Sequence, residues 1–390
     1  MIETAEVIVV GAGVQGASLA FHLARRGVPV LVLERETVAA GATGRSSGFV
    51  RMHYDLASDA RLAWTSFPYF EDWAAMVGHG DCGFVRTGFL QIMPGDLGDS
   101  VRANIKIQQD IGIDTGMLTA GDVARLVPGA VIDDVSTAIF EPRSGYADPS
   151  GTAAGFLAAA RALGARVVQD CPASAVLVDG ETVVGVDTER GRFGAPVVVD
   201  VAGAWSAPLA RTVGVEIPVE TWRHDTAYFG LPDGRTSDFP IVIDEINEVY
   251  FRPEGTETML VGLEGGNEVG GSPDRPLTMS HPELVEEMVR RVCARVPWMA
   301  DGTLRTSHGG QDGITPDQHG ILGQAGPDGF YLACGFSGTG FKTAPAIGQC
   351  LTELILDGRA TTVDISGYGL ERFAAGRPLV GEHPYRMLWH

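Results

Sequence analysis

Residues 6–36 read EVIVVGAGVQGASLAFHLARRGVPVLVLERE. Val7 to Val10 are four β-branched residues in a row, the pattern of a strand buried on both faces. Gly11, Gly13 and Gly16 follow in G-x-G-x-x-G spacing. A helix then carries Val14, Ala17, Ala20, Leu23 and Ala24 on neighbouring faces and stops at Gly27. A second apolar strand, Val30 to Leu33, ends on Glu34. Strand, tight turn, helix, strand and acid in that order form a dinucleotide fingerprint in its confirming context. Gly11 permits the turn, Gly13 lets backbone approach a pyrophosphate, Gly16 allows close helix-to-strand contact, and the helix N-terminus offers N–H groups to the anion. Val14 and Gln15 on the first helical turn, and Arg35 beside the acid, extend this candidate site. Glu34 is placed to accept from ribose hydroxyls, which disfavours a 2′-phosphate and leaves FAD or NAD as the ligand.

Residues 41–55, GATGRSSGFVRMHYD, help to separate those two. An NAD fold continues with alternating strands and helices, whereas here Gly44, Arg45, Ser46, Ser47 and Gly48 supply bare backbone and hydroxyls directly after the acid. Such a loop suits the ribityl chain and pyrophosphate of a flavin dinucleotide. Residues 329–358, GFYLACGFSGTGFKTAPAIGQCLTELILDG, repeat the grammar: a strand at Phe330 to Cys334, a turn with Gly335, Ser337, Gly338, Thr339, Gly340 and Phe341, then a helix to about Leu356 that Lys342 enters. A helix N-terminus aimed at a flavin would favour the negative charge of reduction by about 0.3–1 kcal/mol at an exposed site. A third turn, around Gly203 and Trp205 in residues 197–214, implies one cofactor domain assembled from separate stretches of chain.

Composition bounds the rest. A chain of 390 residues with 45% hydrophobic content and a mean hydropathy of +0.09 fits two or three globular units. No apolar run approaches the roughly 20 residues that span a bilayer, so no membrane insertion is expected. The opening MIETAEVIVV carries acids where a secretory leader carries positive charge, so a cytoplasmic location is expected. Five scattered cysteines, none in a C-x-x-C pair, indicate neither a disulfide framework nor a metal site. A net charge of −20 excludes a large nucleic-acid footprint. Among 29 basic residues only Lys106 and Lys342 are lysines, which makes the place of Lys342 informative.

Read in order, VIVVGAGVQGASLAFHLARRG with Glu34, then GATGRSSGFVR, VVDVAGAWS, VYFRPEG, TPDQHGILG and GFSGTGFK resemble the FAD-dependent D-amino-acid oxidase superfamily, in its glycine oxidase, sarcosine oxidase and dimethylglycine oxidase branch. The resemblance runs from about residue 5 to residue 360. It implies an α/β fold: a Rossmann-type, glutathione-reductase-like FAD-binding domain from residues 1–80, 145–215 and 305–390. An α+β antiparallel-sheet substrate domain from residues 81–144 and 216–304 would roof the flavin. By the same resemblance Ala175, Val176, Ala202, Gly203, Trp205, Gly309 and Gly310 join the cofactor site.

In such relatives a substrate amine loses a hydride from its α-carbon to flavin N5, and the resulting imine hydrolyses. Arg51 follows the glycine loop where a guanidinium would meet a carboxylate. The resemblance also gives Lys342 a substrate-carboxylate role. Tyr250 and Arg252 alternate onto one face of a strand expected over the ring, and His53 is a third candidate near the reacting atoms. His308 and His319 are further candidates, and Trp64, Phe89, Trp222, His224 and Phe229 are candidates to line the roof. Two departures from the family pattern matter. Gly309, Gly310 and Gln311 stand where a cysteine would attach the flavin, and no histidine lies in GATGRSSG, so non-covalent FAD is expected. The stretch Thr258 to Leu263 lacks the lysine that helps those oxidases use dioxygen. The expected activity is oxidation of the C–N bond of an amino acid or N-methylated amino acid, reoxidised by O2 to give hydrogen peroxide. An FAD-dependent dehydrogenase of an amine or 2-hydroxy acid that passes electrons to a protein acceptor, or a non-catalytic flavin-binding subunit, are the alternatives.

Overall fold

The structure is a computed structural model that describes residues 3–275 and 279–385. The outermost residues of the 1–80 and 305–390 segments, and residues 276–278, lie outside it.

The apolar runs of the fingerprint form strands Val7–Val10 and Val30–Leu33, with helix Val14–Arg25 between them. They sit inside a six-stranded sheet ordered Arg166–Val168, Val30–Leu33, Val7–Val10, Val197–Asp200, Phe330–Cys334 and Ile321–Gln324. All neighbours run parallel except the last pair. Strands buried on both faces explain the unbroken valine runs: Ile8, Val9, Val198 and Val199 have no exposed surface. Helix Gly340–Asp357 packs against Val14–Arg25, and the pairing is polar as well as apolar, since Ser18 Oγ donates to Ala344 O at 2.8 Å and Gln15 Nε2 to Gly340 O at 2.7 Å.

Two of the glycines have backbone reasons. Gly11 has φ +113° and a Cβ there would lie 2.6 Å from Val201 O, while a Cβ on Gly16 would lie 2.1 Å from Gly11 O. Only hydrogen fits between helix and strand at that point.

The second large sheet has eight strands, in the order Thr303–Ile314, Glu220–Gly230, Thr258–Leu263, Val249–Glu254, Ile241–Asp244, Phe89–Met93, Thr137–Glu141 and Gly116–Leu118. Only the junction of Ile241–Asp244 with Phe89–Met93 is parallel. Its outer face is covered by helix Pro282–Arg295, which buries Met288 and Val292 against Phe251, Met259 and Val261. Residues 110–129 contain an edge strand Gly116–Leu118 and a helix Ala120–Leu126 capped at its N-terminus by a Thr119–Asp122 capping box. The edge strand escaped sequence reading because three residues carry no period. Strand Thr303–Ile314 belongs wholly to this sheet and crosses residue 305, because it pairs with Glu220–Gly230 along its whole length.

Candidate active site

Between the two sheets lies a cavity of about 500 Å³. Its floor is the C-terminal edge of the parallel sheet, where the fingerprint turn, the Gly203 turn and the entrance of helix Gly340–Asp357 converge. That is where an open parallel sheet receives a ligand.

At one end Glu34 follows its strand and both carboxylate oxygens are engaged, Oε2 by Ala12 N and Oε1 by Glu36 N, each at 2.8 Å. Lone pairs remain on each oxygen for a hydroxyl. Arg35 lies over the Trp205 ring at 4.4 Å and pairs with Asp274 at 2.7 Å, to which Trp205 Nε1 also donates at 2.8 Å. These three close that end. Along the middle run Gly11, Gly13, Val14, Gln15, Thr43, Arg45, Ser46, Ser47, Ala202 and Gly203. Thr43 Oγ1 accepts from Val14 N at 3.0 Å and stands 3.0 Å from where a Gly13 Cβ would be.

The other end is roofed by the antiparallel sheet and holds Phe49, His224, Thr226, Tyr250, Glu264, Phe336 and Lys342. Lys342 sits in the first turn of its helix and donates to Gly338 O at 3.1 Å. Burial first, and the Arg51 charge second, push its ammonium well below the ordinary lysine value, against the pull of Glu264, Asp312 and Asp59. Asp312 accepts from Gly313 N and Gly338 N, each at 2.8 Å, and so ties the long strand to the glycine turn. Burial lowers His224 to about 4, leaving it a neutral imidazole at ordinary pH. The Tyr250 phenol is raised by burial and by the neighbouring Glu264, and its ring meets Phe49 edge-on at 5.4 Å.

Several sequence candidates do not reach the wall. Arg51 is buried behind it, donating to His53 O, with its guanidinium 4.5 Å from the Tyr54 ring. His53 is held by Gln108 and the Tyr385 hydroxyl, each at 2.7 Å, and burial lowers it to about 3. Arg252 shares a strand face with Tyr250, yet it spans to the glycine loop: Nε donates to Ser47 O at 2.7 Å and its guanidinium lies 4.2 Å from Tyr146. Ala175 and Val176 lie in another sheet, on strand Ala173–Asp179, with Val176 in the core beneath it. Gly16, Gly44, Gly48, Gly309, Gly335, Ser337 and Thr339 stand one layer behind, where they shape the turns. Gly310, Gly338, Gly340 and Phe341 do line the cavity. Of the five roof candidates only His224 does so. Trp64 stacks on Phe67, while Phe89, Trp222 and Phe229 are core. His308 contacts Thr226, and His319 pairs with Asp59 at 2.8 Å.

Sequence reading passed over Thr43, Phe49, Asp312 and Glu264, and took Gln311 only as a replaced attachment position. Only Glu264 carried a signal: like Glu34 it is an acid directly after an apolar strand, ahead of paired glycines.

The family model for FAD dependent oxidoreductases matches residues 6–354. The chain belongs to that family. Sarcosine dehydrogenase of Homo sapiens is 28% identical over 95% of this chain, which spans 41% of that protein's length. The 4-methylaminobutanoate oxidase of Paenarthrobacter nicotinovorans is 27% identical over 94% of the chain and 45% of its own length. The sarcosine oxidase subunit beta of an Arthrobacter species is 27% identical over 97% of the chain and 93% of the subunit. Among solved structures, L-proline dehydrogenase of P. horikoshii superposes with a TM-score of 0.89 at 26% identity, covering 97% of this chain and 100% of that one.

The cofactor of the family is FAD, and the cavity fits it. Gln15 Oε1, His224 Nε2 and Gln311 Oε1 are buried on the wall without a hydrogen-bond partner among the described residues. Buried polar atoms in native proteins find partners. These are spread along an elongated, glycine-floored groove, the arrangement a dinucleotide with polar groups along its length would complete. Glu34 and Arg35 would hold its adenosine part, the fingerprint turn its pyrophosphate, and the Lys342 end its ring system.

Proposed function

We propose that this chain is an FAD-dependent amine or amino-acid oxidoreductase that oxidises the C–N bond of a small amino acid or N-methylated amino acid. Bound FAD supplies a hydride acceptor at N5. Lys342 holds the substrate carboxylate by a charge-assisted hydrogen bond, and Tyr250, Phe49 and Phe336 exclude water from the reacting C–H bond. The imine product hydrolyses on release. The observation that carries this reading is that Lys342 and Glu264, an acid whose carboxyl oxygens have no hydrogen-bond partner among the described residues, line the same roofed end of the cavity. The relatives named for sarcosine and methylaminobutanoate support the N-methyl class.

In this reading residues 1–80, 145–215 and 305–390 form the FAD-binding domain and residues 81–144 and 216–304 the substrate domain, with the boundary at 304/305 moved past the end of the strand Thr303–Ile314, which pairs within the roof sheet. The flavin is held non-covalently, since no cysteine and only one histidine, His224, line the cavity among the described residues. O2 is the proposed acceptor and hydrogen peroxide its product, in the cytoplasm. The lysine-free strand Thr258–Leu263 favours a second reading, in which electrons pass to a protein partner.

Anaerobic addition of N-methyl amino acids, free amino acids and 2-hydroxy acids to the FAD-loaded protein tests the activity. Bleaching of the flavin by members of the first two classes is expected. Bleaching by hydroxy acids alone would overturn the C–N assignment. Admission of air to the reduced sample then separates the acceptors: rapid return of colour with peroxide marks an oxidase. Acid precipitation of the same sample should leave the flavin in the supernatant.

A further inference from the structure

Among the described residues five carboxylates line the cavity: Glu34, Glu36, Glu264, Asp274 and Asp312. Four are engaged by donors. Glu34 takes Ala12 N and Glu36 N, Glu36 takes Arg35, Asp274 takes Arg35 and Trp205 Nε1, and Asp312 takes two backbone N–H groups. Glu264 is different. It is 5% exposed, and neither of its carboxyl oxygens has a hydrogen-bond partner among the described residues.

Its position is fixed by the backbone. Glu264 directly follows strand Thr258–Leu263, and its N–H donates to Glu248 O at 3.0 Å, extending the pairing with Val249–Glu254. The charged and titratable groups facing it come from four elements: Arg51 beyond strand Phe49–Val50, Lys342 in helix Gly340–Asp357, Glu245 after strand Ile241–Asp244, and Tyr250 on the adjacent strand. Burial raises its carboxyl well above the ordinary range and Glu245 adds to this, while Arg51 and Lys342 oppose it.

A buried acid with both oxygens open is costly unless a ligand completes it. The ligand that does so best carries a positive charge with N–H donors, which an ammonium has and a hydroxyl lacks.

We propose that Glu264 is a catalytic residue that binds the substrate's primary or secondary ammonium and accepts its proton, so that the amine stands neutral before its C–H bond is broken. The proposal rests on the C–N reading above. In the step one N–H bond of the ammonium breaks and one O–H bond forms on the Glu264 carboxylate. The electron pair stays on nitrogen, and two opposite charges vanish together in a site of low dielectric. The free nitrogen lone pair then supports departure of the hydride from the adjacent carbon. Lys342, on the helix opposite, keeps the carboxylate end in place, so the two residues read the two ends of a zwitterion.

The test uses the FAD-loaded protein, sarcosine as substrate, and methoxyacetate as a probe of the same shape with an ether oxygen in place of the ammonium. With native protein, the second-order rate of anaerobic flavin bleaching by sarcosine should form a plateau between the titration of the raised carboxyl and the amine's own ionisation, because the abundant zwitterion is the reacting form. It should fall on the acid side, as the raised carboxyl takes up its own proton. Glu264→Gln should react only with the rare free amine, so that its rate is lower by about a hundredfold or more near pH 7 and climbs about tenfold per pH unit toward the amine's own ionisation. Methoxyacetate, followed by its effect on flavin absorbance, should bind the variant at least as tightly as the native protein. A variant with the native pH profile overturns the proposal while leaving the C–N reading intact. Native protein bleached only by hydroxy acids overturns both. If Glu264→Gln does not retain FAD, Glu264→Asp carries the test: a flat profile between the same limits supports the proposal, and a climb of about tenfold per unit sinks it.

Discussion

The role proposed for Lys342 comes from its surroundings. On the sequence it is one of two lysines; in the fold it is buried at a helix entrance, beside a cavity, with Arg51 and Glu264 setting its charge balance. Replacing it by glutamine should weaken methoxyacetate binding by about ten- to a hundredfold, the loss of one charge-assisted hydrogen bond worth about 1.5–3 kcal/mol. Unchanged affinity in a flavin-absorbance titration would remove Lys342 from the substrate site. Arg51 carries the opposite lesson. Its spacing after the glycine loop pointed to substrate, yet the chain after Val50 turns its side chain behind the wall, among Tyr54 and Phe89. There its charge pushes the Lys342 ammonium down and opposes the rise of the Glu264 carboxyl. Spacing along a loop fixes where a Cα can be, and the rotamer is decided by what the rest of the chain packs around it.

At the scale of elements, the fingerprint turn works because strand and helix approach closer than any side chain allows. A Cβ at Gly16 would stand 2.1 Å from Gly11 O, with backbone rather than a flexible side-chain end as the obstacle. Gly16→Ala should therefore push the helix N-terminus off the pyrophosphate position at a cost of about 1–3 kcal/mol. The check is FAD content after purification and the dissociation constant for added FAD, both of which should worsen. A variant saturated with FAD as purified would show that the turn tolerates the separation. Arg252 belongs at this scale too: by reaching from the roof strand to Ser47 O it fastens the glycine loop to the second sheet. The alternation that put Tyr250 and Arg252 on one face was legible in VYFRPEG; that one would line the cavity and the other bridge two elements was not.

Across the whole molecule the roof must be held rigidly, because a substrate misplaced by a fraction of an ångström reacts poorly. Arg295, from the covering helix, is 1% exposed and bonds Asp244 at 2.7 Å and Asp134 at 2.7 Å. Asp244 is fully buried and also receives Ile246 N and Asn247 N, so this pair closes the turn that leads to Glu245 and on to Tyr250. Arg295→Leu leaves that carboxylate uncompensated and should cost about 3–5 kcal/mol, measured as a lowered midpoint of denaturant unfolding. A loss below about 1 kcal/mol would mean that water or rearrangement replaces the guanidinium.

The sequence by itself determined the nucleotide-binding half: period, glycine spacing and the terminal acid are local signals, and Val7–Val10, Val30–Leu33 and Phe330–Cys334 form strands at the residues where those signals placed them. It also carried the family and the flavin. Tertiary structure alone decided which polar residues reach the roofed end of the cavity. Arg51 and His53 were turned into the wall, Ala175 and Val176 into another sheet, and Glu264 was left in the cavity with neither oxygen partnered among the described residues. The physical reason is that a backbone turn is governed by contacts within a few residues. A side chain's partner comes from strands and helices distant in the chain, and whether a buried acid is satisfied is known only when all of them are in place.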